Sequence, residues 1–388
     1  MNLKLSGYLL LLSVSIGLFS QQVRVTGQNG ANPITVAAPF LGFAPDSRGS
    51  AMGDLGVATS PDAYSIHWNN AKLAFIDQDM GASFSYSPWL GNIVDDMSLN
   101  YLTFFKKLSR IESWAVSMRY FDLGEIQLTD VSGLPQGIEN PREAAVDATY
   151  SRLLGENFSA GLSMRFIWSN LTGNITGAPS ANPGISLAFD LGALYRIPLT
   201  VAGMESQLNF GANMSNIGQR ITYTSEENED YIPGNLRVGT AFITNLDAYN
   251  SLTIAVDANK LMVPTPPTLD DDGNIIAGKD PDRGFIAGTF GSFSDAPGGF
   301  SEEMAEITLS TGVEYWYRNI FALRAGYFFE HVDKGDRKYF TTGMGFRYQV
   351  FGLDFSYLIP QQQNHPLGDT LRLSFVFNLD QKKEGSEI

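Results

Sequence analysis

From Met80 to Asp380 the chain repeats one pattern, apolar and polar side chains alternating residue by residue, and this limits the folds open to it more than any other feature. The last run, TLRLSFVFNLD, is the clearest. Leu371, Leu373, Phe375, Phe377 and Leu379 share one face, and Arg372, Ser374, Asn378 and Asp380 share the other. A strand sends successive side chains to opposite faces, so such a run is apolar on one side and polar on the other. The same holds for Leu162, Met164, Phe166 and Trp168 against Gly161, Ser163, Arg165 and Ser169. It holds again for Leu309, Val313, Tyr315 and Tyr317 against Thr308, Ser310, Glu314 and Arg318.

Strands are expected near 79–88, 97–108, 112–129, 143–154, 157–171, 185–196, 205–215, 235–245, 250–260, 304–317, 320–331, 338–349, 352–359 and 370–379. Their connections alternate in length. Tight turns are expected at Ser109 to Ile111, Gly155 to Glu156, Leu246 to Tyr249, Arg318 to Asn319 and Val350 to Phe351, with a longer one at Ile197 to Met204. The intervening connections are mostly longer and rich in Gly, Pro and Asp, the longest running from Leu261 to Glu303. An even count of about fourteen strands, with short turns at one end and long loops at the other, is the pattern of an outer-membrane barrel. A soluble sandwich also alternates, and the connection lengths argue against it. In a bilayer the apolar face meets lipid, and closure satisfies every backbone group. Aromatic residues near the expected strand ends, Trp89, Trp168, Tyr195, Trp316, Tyr317 and Tyr357, suit interfacial girdles.

The start of the chain sets the compartment. MNLKLSGYLLLLSVSIGLFS carries Lys4 before an apolar run and ends in small Ser20, the layout of a secretory signal over 1–20. No later stretch of about 18 uncharged apolar residues offers a membrane helix. The chain contains no Cys, so neither disulfides nor a cysteine-linked lipid anchor can form. A net charge of −15 disfavours nucleic acid as a partner.

Between leader and barrel, residues 21–78 form a different kind of segment. LGFAPDSRGSAMGDLGVATSPDAYSIHWNNAKLAF, Leu41 to Phe75, lacks both a helical apolar repeat and a sustained alternation, yet carries Phe43, Tyr64, Trp68 and Phe75. It cannot build its own core. A disordered start is the alternative reading, and the aromatic content opposes it. An unplugged barrel of about fourteen strands would leak. The segment is therefore expected inside the lumen as a plug, followed by the barrel over 79–380 and a periplasmic tail over 381–388, with both termini in the periplasm and the long loops outside.

Acidic residues cluster at SEENED (Ser225 to Asp230), Asp270 to Asp272 and Ser301 to Glu303, all expected in loops as solvated faces or as a face for a basic partner. DDDGN at Asp270 has a Ca²⁺-loop flavour, but Pro281 stands where the closing glutamate belongs. His67, His331 and His365 have no metal-ligand spacing, and a catalytic group would have to be assembled by folding, for instance His331 with Asp333 or Glu330. No cofactor and no enzymatic activity are expected.

The plug ends in HWNNAKLAF, which resembles the hatch motif of the long-chain fatty acid transporter (FadL-like) superfamily. Trp68, Asn69 and Ala71 match, while Asn70 stands where proline is usual. PDSRGSAMGDLGVATSPDAYSIHWNNAKLAF, together with GTFGSFSDAPGGFSEEMAEITLSTGVEYWYRNIFALRAGYFFE, is similar to the PorV family, outer-membrane barrels of the type IX secretion system of Bacteroidota, with PorQ as a paralogue. That resemblance implies an all-β, FadL-like transmembrane barrel with an N-terminal hatch, to which Asp46, Arg48, Trp68, Asn69, Asn70 and Ala71 would contribute. It also implies a carrier of secreted proteins. Members bind the C-terminal signal domain of cargo leaving the SprA (Sov) translocon barrel and pass it to the attachment complex with the sortase-like PorU, with PorQ and PorZ as further candidate partners. Outer-membrane lipid and lipopolysaccharide would surround it. The residues expected to meet a protein partner are Phe285, Ile286, Phe290, Phe293 and Phe300, with Glu226, Glu227, Asp230 and Tyr231. Transport of hydrophobic small molecules, as in the wider superfamily, is the alternative.

Overall fold

A computed structural model of the chain describes residues 32–91, 94–129, 132–171, 182–223, 229–361, 368 and 370–379. The expected leader, residues 21–31 and the tail lie outside the described residues. Fourteen antiparallel strands close a barrel: β1 Met80–Pro88, β2 Ser98–Lys107, β3 Glu112–Asp122, β4 Arg142–Leu153, β5 Phe158–Asn170, β6 Gly184–Val201 and β7 Met204–Gly218, then β8 Asn235–Asn245, β9 Asn250–Leu261, β10 Ile307–Tyr317, β11 Phe321–Phe329, β12 Lys338–Tyr348, β13 Phe351–Pro360 and β14 Leu371–Leu379. Each strand pairs with the next in sequence, and β1 pairs with β14 from Met80 opposite Leu379 to Tyr86 opposite Leu373. No edge is left unpaired, as hydrocarbon demands.

The alternation places the faces as expected. On β14, Ser374 is fully buried while Phe375 and Phe377 are exposed. On β5, Ser163 and Arg165 point inward, and Leu162, Met164 and Phe166 form part of an outward apolar belt. Such a belt would be unfavourable against water and is favourable against lipid. Part of the buried charge in the lumen is ion-paired, which offsets the cost of a low-dielectric interior. Arg165 bridges Asp147 at 2.5 Å and Asp190 at 2.9 Å, and Arg324 bridges Glu314 at 2.7 Å and Asp354 at 2.8 Å.

Several expected boundaries shift for local reasons. The third strand stops at Asp122, whose carboxylate accepts the Gly124 amide at 3.1 Å, and Gly124 turns the chain with a φ of 77°. Ile126–Thr129 then pairs with Pro135–Glu139 in a separate small hairpin. The turn expected over Ile197 to Met204 shrinks to Ala202 and Gly203, both with positive φ, the geometry of a two-residue hairpin loop. Residues 304–306, expected to open a strand, finish the short helix Phe300–Ala305 and its cap. Two girdle assignments are also corrected. Trp89 is buried and stacks on Phe43 at 4.2 Å, and Trp316 lies on the inward face beneath the Arg324 and Arg347 guanidinium groups, each 5.4 Å away.

The N-terminal segment occupies the lumen as short turns of helix at Pro39–Gly42, Ser47–Ser50, Ser65–Trp68 and Asn70–Phe75. Inward glycines flatten the wall beneath it: a Cβ on Gly326 would stand 2.1 Å from the Met52 carbonyl carbon. The segment ends at the tight-turn end, where Lys107 donates its amide to the Asp79 carbonyl at 2.8 Å. Its first described residue stands at the other end. The Asn32 amide donates to the Asp333 carbonyl at 3.0 Å, and its side chain donates to the Pro266 carbonyl and to Glu302, each at 3.0 Å.

Candidate functional site

Two groups of residues were expected to matter, and the structure puts them in separate places. The hatch residues sit deep in the lumen. Asp46 caps the turn Ser47–Ser50 by accepting the Gly49 amide at 2.8 Å, and its other oxygen accepts the Trp68 indole N–H at 2.6 Å. One carboxylate thus ties two turns of the segment that lie twenty-two positions apart. Arg48 uses all five of its N–H donors: Nε and Nη2 on Glu314 of β10, Nη2 and Nη1 on Ser60, and Nη1 on Asp62.

Asn69 and Asn70 fasten the segment to the wall. Asn69 Nδ2 donates to the carbonyls of Val57 and of Ala193 on β6, each at 2.9 Å, and Asn70 Nδ2 donates to Ser163 Oγ at 2.8 Å. The Ala71 carbonyl accepts from Ser151 and Ser159, at 3.2 and 2.8 Å. An asparagine at position 70, in place of the usual proline, therefore adds a wall contact that proline could not make. Trp68 bonds within the segment through its indole N–H, packs with Tyr101 and Val376 of the wall, and has the Arg237 guanidinium stacked 4.6 Å from its ring.

Phe285, Ile286, Phe290, Phe293 and Phe300 of the second group lie in the connection from β9 to β10, at the long-connection end. This connection carries the hairpin Thr268–Leu269 with Ile275–Ala277 and two helices, Phe285–Gly291 and Phe300–Ala305. Ile286 and Phe290, one helical turn apart, are 61% and 55% exposed, and Phe300 and Met304 on the other helix are 80% and 50% exposed. Phe293 is exposed on one side, with the Lys260 ammonium 5.6 Å from its ring. Phe285 is half-buried.

Beneath this apolar surface the connection is held by ion pairs. Lys260 bonds Glu303 at 2.9 Å and also Glu306, and Lys334 bonds Glu302 at 2.6 Å and Glu306 at 2.9 Å. Glu303 Oε1 further accepts the amides of Asp295 and Ala296. Ser301 to Glu303 is thus not a solvated acidic face, because two of its three residues are anchors turned inward. The Asp270 carboxylate is likewise committed, accepting the amides of Asp272 and Asn274 to close the hairpin turn. Tyr231 packs on the same connection, with Arg220 stacked on its ring, while Asp230 pairs with Ile221 in a two-residue ladder. Glu226 and Glu227 lie outside the described residues.

Burial, the largest influence on Glu302, pushes its carboxyl up, but hydrogen bonds from Lys334, the Gly298 amide and Asn32 outweigh it and hold it below the usual glutamate range. Among the described residues no group of three His, Asp or Glu could hold a metal ion. His331 sits 3.6 Å from Asp333 at the rim, with no nucleophile in its hydrogen bonds. Between plug and rim lies a cavity of about 380 Å³, lined by Leu41, Phe43, Trp89 and Phe328 and by Arg237 and Arg372.

The alternation places Arg165 and Glu314 on polar strand faces without giving them partners, and Asp190 and Asp257 stand on such faces too. Asp257 accepts the Gly56 and Val57 amides, and Lys72, fully buried, donates to the Gly56 carbonyl. The usable signal was a lone charge among small residues on the inward face of a strand.

A closed barrel with an outward apolar belt and its amino-terminal segment threaded through the lumen defines the FadL-like class of membrane barrels. The chain shares that fold with the TodX deltaS2S3 mutant monoaromatic hydrocarbon channel, at 11% identity and a TM-score of 0.50 over 86% of this chain and 99% of the other. The Ralstonia pickettii toluene transporter TbuX matches at 12% identity and a TM-score of 0.47, over 86% and 97% of the two chains. A Pseudomonas aeruginosa FadL homologue matches at 10% identity and a TM-score of 0.46, over 90% and 99%. No curated protein matches the sequence. Within this class the chain belongs to the PorV family: residues 26–268 match the family described as type IX secretion system protein PorV. It is a component of that secretion system, and both family and fold are those of a secretion or transport barrel.

Proposed function

We propose that this protein is the outer-membrane carrier of type IX cargo. It sits in the outer membrane with its tight turns toward the periplasm and its long connections outside. There it binds the folded C-terminal signal domain of secreted proteins as they leave the SprA (Sov) barrel and delivers them to the PorU attachment complex. The observation that carries this reading is the contrast between the two groups of residues: the plug is fastened to the lumen wall by ion pairs and hydrogen bonds, while large apolar side chains stand exposed on an anchored platform outside it. Aromatic and aliphatic anchors on a rigid support are what a protein interface needs. The plug then keeps the envelope sealed while binding happens on the loops.

The test is the triple substitution Ile286→Ser/Phe290→Ser/Phe300→Ser in the native outer membrane. The barrel assembles normally, and cargo accumulates with the translocon or in the periplasm. Unchanged surface display of cargo overturns the reading.

One observation favours a second reading, uptake of hydrophobic small molecules: the cavity above the plug pairs apolar walls with the arginines Arg237, Arg337 and Arg372. A lipid co-purifying in the lumen, lost on substituting Phe43 and Trp89, would support it.

A further inference from the structure

The cavity above the plug faces more cations than its own carboxylates hold. Its rim is built from strand ends at the long-connection mouth, with Asn235 and Arg237 on β8, Asn259 on β9, Tyr339 on β12 and Arg372 on β14. The carboxylates of the lining are engaged elsewhere. Glu330 takes Arg337 at 2.7 Å, Glu306 takes Lys334 at 2.9 Å, and Asp54 accepts the Tyr339 hydroxyl at 2.5 Å. Arg372 and Arg237 are left over. Arg372 is 4% exposed, its Nε has no hydrogen-bond partner, and among the described residues it forms no ion pair. Arg237 spends its Nε on the neutral amide oxygen of Asn259, at 2.5 Å, and rests its guanidinium on the Trp68 ring. His67 lines the cavity from the plug. Arg119 Nη2 lies 2.8 Å from its Nδ1, and an arginine can only donate, so Nδ1 accepts and the ring proton sits on Nε2, which has no partner.

Two guanidinium groups without a carboxylate, facing a cavity walled by Leu41, Phe43 and Phe328, make a site for an anion carried on an apolar body. At about 380 Å³ the cavity falls in the usual range of ligand pockets and is too small for a folded domain. Its position selects the source of the anion. Glu306, which caps the helix Phe300–Ala305, lines the cavity, and so does Lys334, which bonds Glu302 of that helix at 2.6 Å. The helix that displays Phe300 and Met304 therefore stands at the cavity's edge, and a protein seated on the platform has a segment within reach of the opening. The end of a protein chain offers a carboxylate with side chains beside it, and Asn235 and Asn259 on the lining suit the peptide groups that precede it. We infer that this cavity captures the C-terminal carboxylate of the bound cargo domain, with Arg372 and Arg237 as its cationic partners and His67 as a further donor. The inference rests on the carrier role proposed above and names the part of the cargo that enters the barrel. The platform supplies contact area, and the cavity selects for a free chain end.

The test compares one signal domain, taken from a protein that the same cells secrete, in two chemical forms: with a free C-terminal carboxylate and with a C-terminal amide. Binding to the full-length barrel in lipid nanodiscs is measured for the wild type, Arg372→Gln and Arg237→Gln, each checked for the heat-resistant mobility of a closed barrel. The wild type is expected to bind the amide at least about tenfold more weakly than the acid, the loss of a hydrogen bond to a charged group. Arg372→Gln should bind the acid as weakly as the amide and no longer distinguish them. Because amidation changes the cargo and not the barrel, the wild-type comparison decides even where a variant fails to assemble. Equal binding of acid and amide by the wild type overturns the inference and leaves the carrier role standing, while absence of binding by either form overturns both. Native mass spectrometry reveals a different occupant: an anionic lipid held by the wild type and lost in Arg372→Gln, with acid and amide binding alike, makes the cavity a lipid site and overturns the inference.

Discussion

Arg48 in the plug and Glu314 on β10 form a two-pronged ion pair across the lumen, Nε to Oε2 at 2.9 Å and Nη2 to Oε1 at 2.7 Å, although 266 positions separate them in sequence. Both side chains are buried, and Arg324 approaches the same carboxylate from the wall. Removing one member of a buried pair leaves an uncompensated charge and costs about 3 to 5 kcal/mol. Arg48→Met is expected to loosen the plug by that order, seen as ion conductance in planar bilayers and as increased uptake of large antibiotics by cells. The double variant Arg48→Met/Asp62→Asn should recover part of the seal, because Asp62 loses its ion-pair partner in the single variant while Glu314 keeps Arg324.

The close approach of plug and wall gives a steric prediction. A Cβ on Gly192 would lie 2.1 Å from Asn70 Oδ1 and 2.4 Å from Asn69 Oδ1, whereas one on Gly155 meets nothing within 4 Å. Gly192→Ala should displace the asparagine contacts and lower the unfolding temperature in detergent, with a destabilisation of about 1 to 3 kcal/mol typical of overpacking. Gly155→Ala should leave it unchanged.

Lys260 neutralises Glu303 and Glu306 under the loop helices, all three being buried. Lys260→Met leaves Glu303 without its cation and Glu306 with Lys334 alone. The β9–β10 connection should then become sensitive to limited proteolysis while the fourteen strands keep their heat-resistant mobility on gels.

Phe300 and Phe285 separate binding from folding within one connection. Phe300 is 80% exposed, and Phe285 is half-buried. Phe300→Ser should weaken binding of a cargo signal domain by about 2 kcal/mol or more, the range of an interface hot spot, with no change in loop proteolysis. Phe285→Ser should raise proteolysis of the loop.

Glu302 gives the long-connection face a pH dependence. Its carboxyl is held below the usual glutamate range in the folded loop, so its contribution to loop stability is complete above that range and is lost as pH falls through it toward the lowered folded value. Proteolysis of the connection, followed with an acid-tolerant protease, should accelerate below about pH 4.5 in the wild type and less so in Glu302→Gln.

Much of this architecture was legible in the sequence because a strand's alternation is a local property. Leu373, Phe375 and Phe377 declare an outward face, and Ser374 an inward one, with no knowledge of their neighbours. Loop lengths likewise told the two mouths apart, and the lack of any period in Leu41 to Phe75 marked a segment needing a container. What only the tertiary structure decided is which residues meet once the barrel closes. Glu302 and Glu303 read as solvated acids until Lys260 arrives from β9 and Lys334 from the β11–β12 connection. Trp89 and Trp316 sit near strand ends as girdle residues do, yet Phe43 and two arginines draw them inward. The threading direction of the plug is the plainest case. Nothing in its own residues says which mouth Asn32 faces, because that is set by contacts with Asp333, Pro266 and Glu302, which lie more than 230 positions away in sequence.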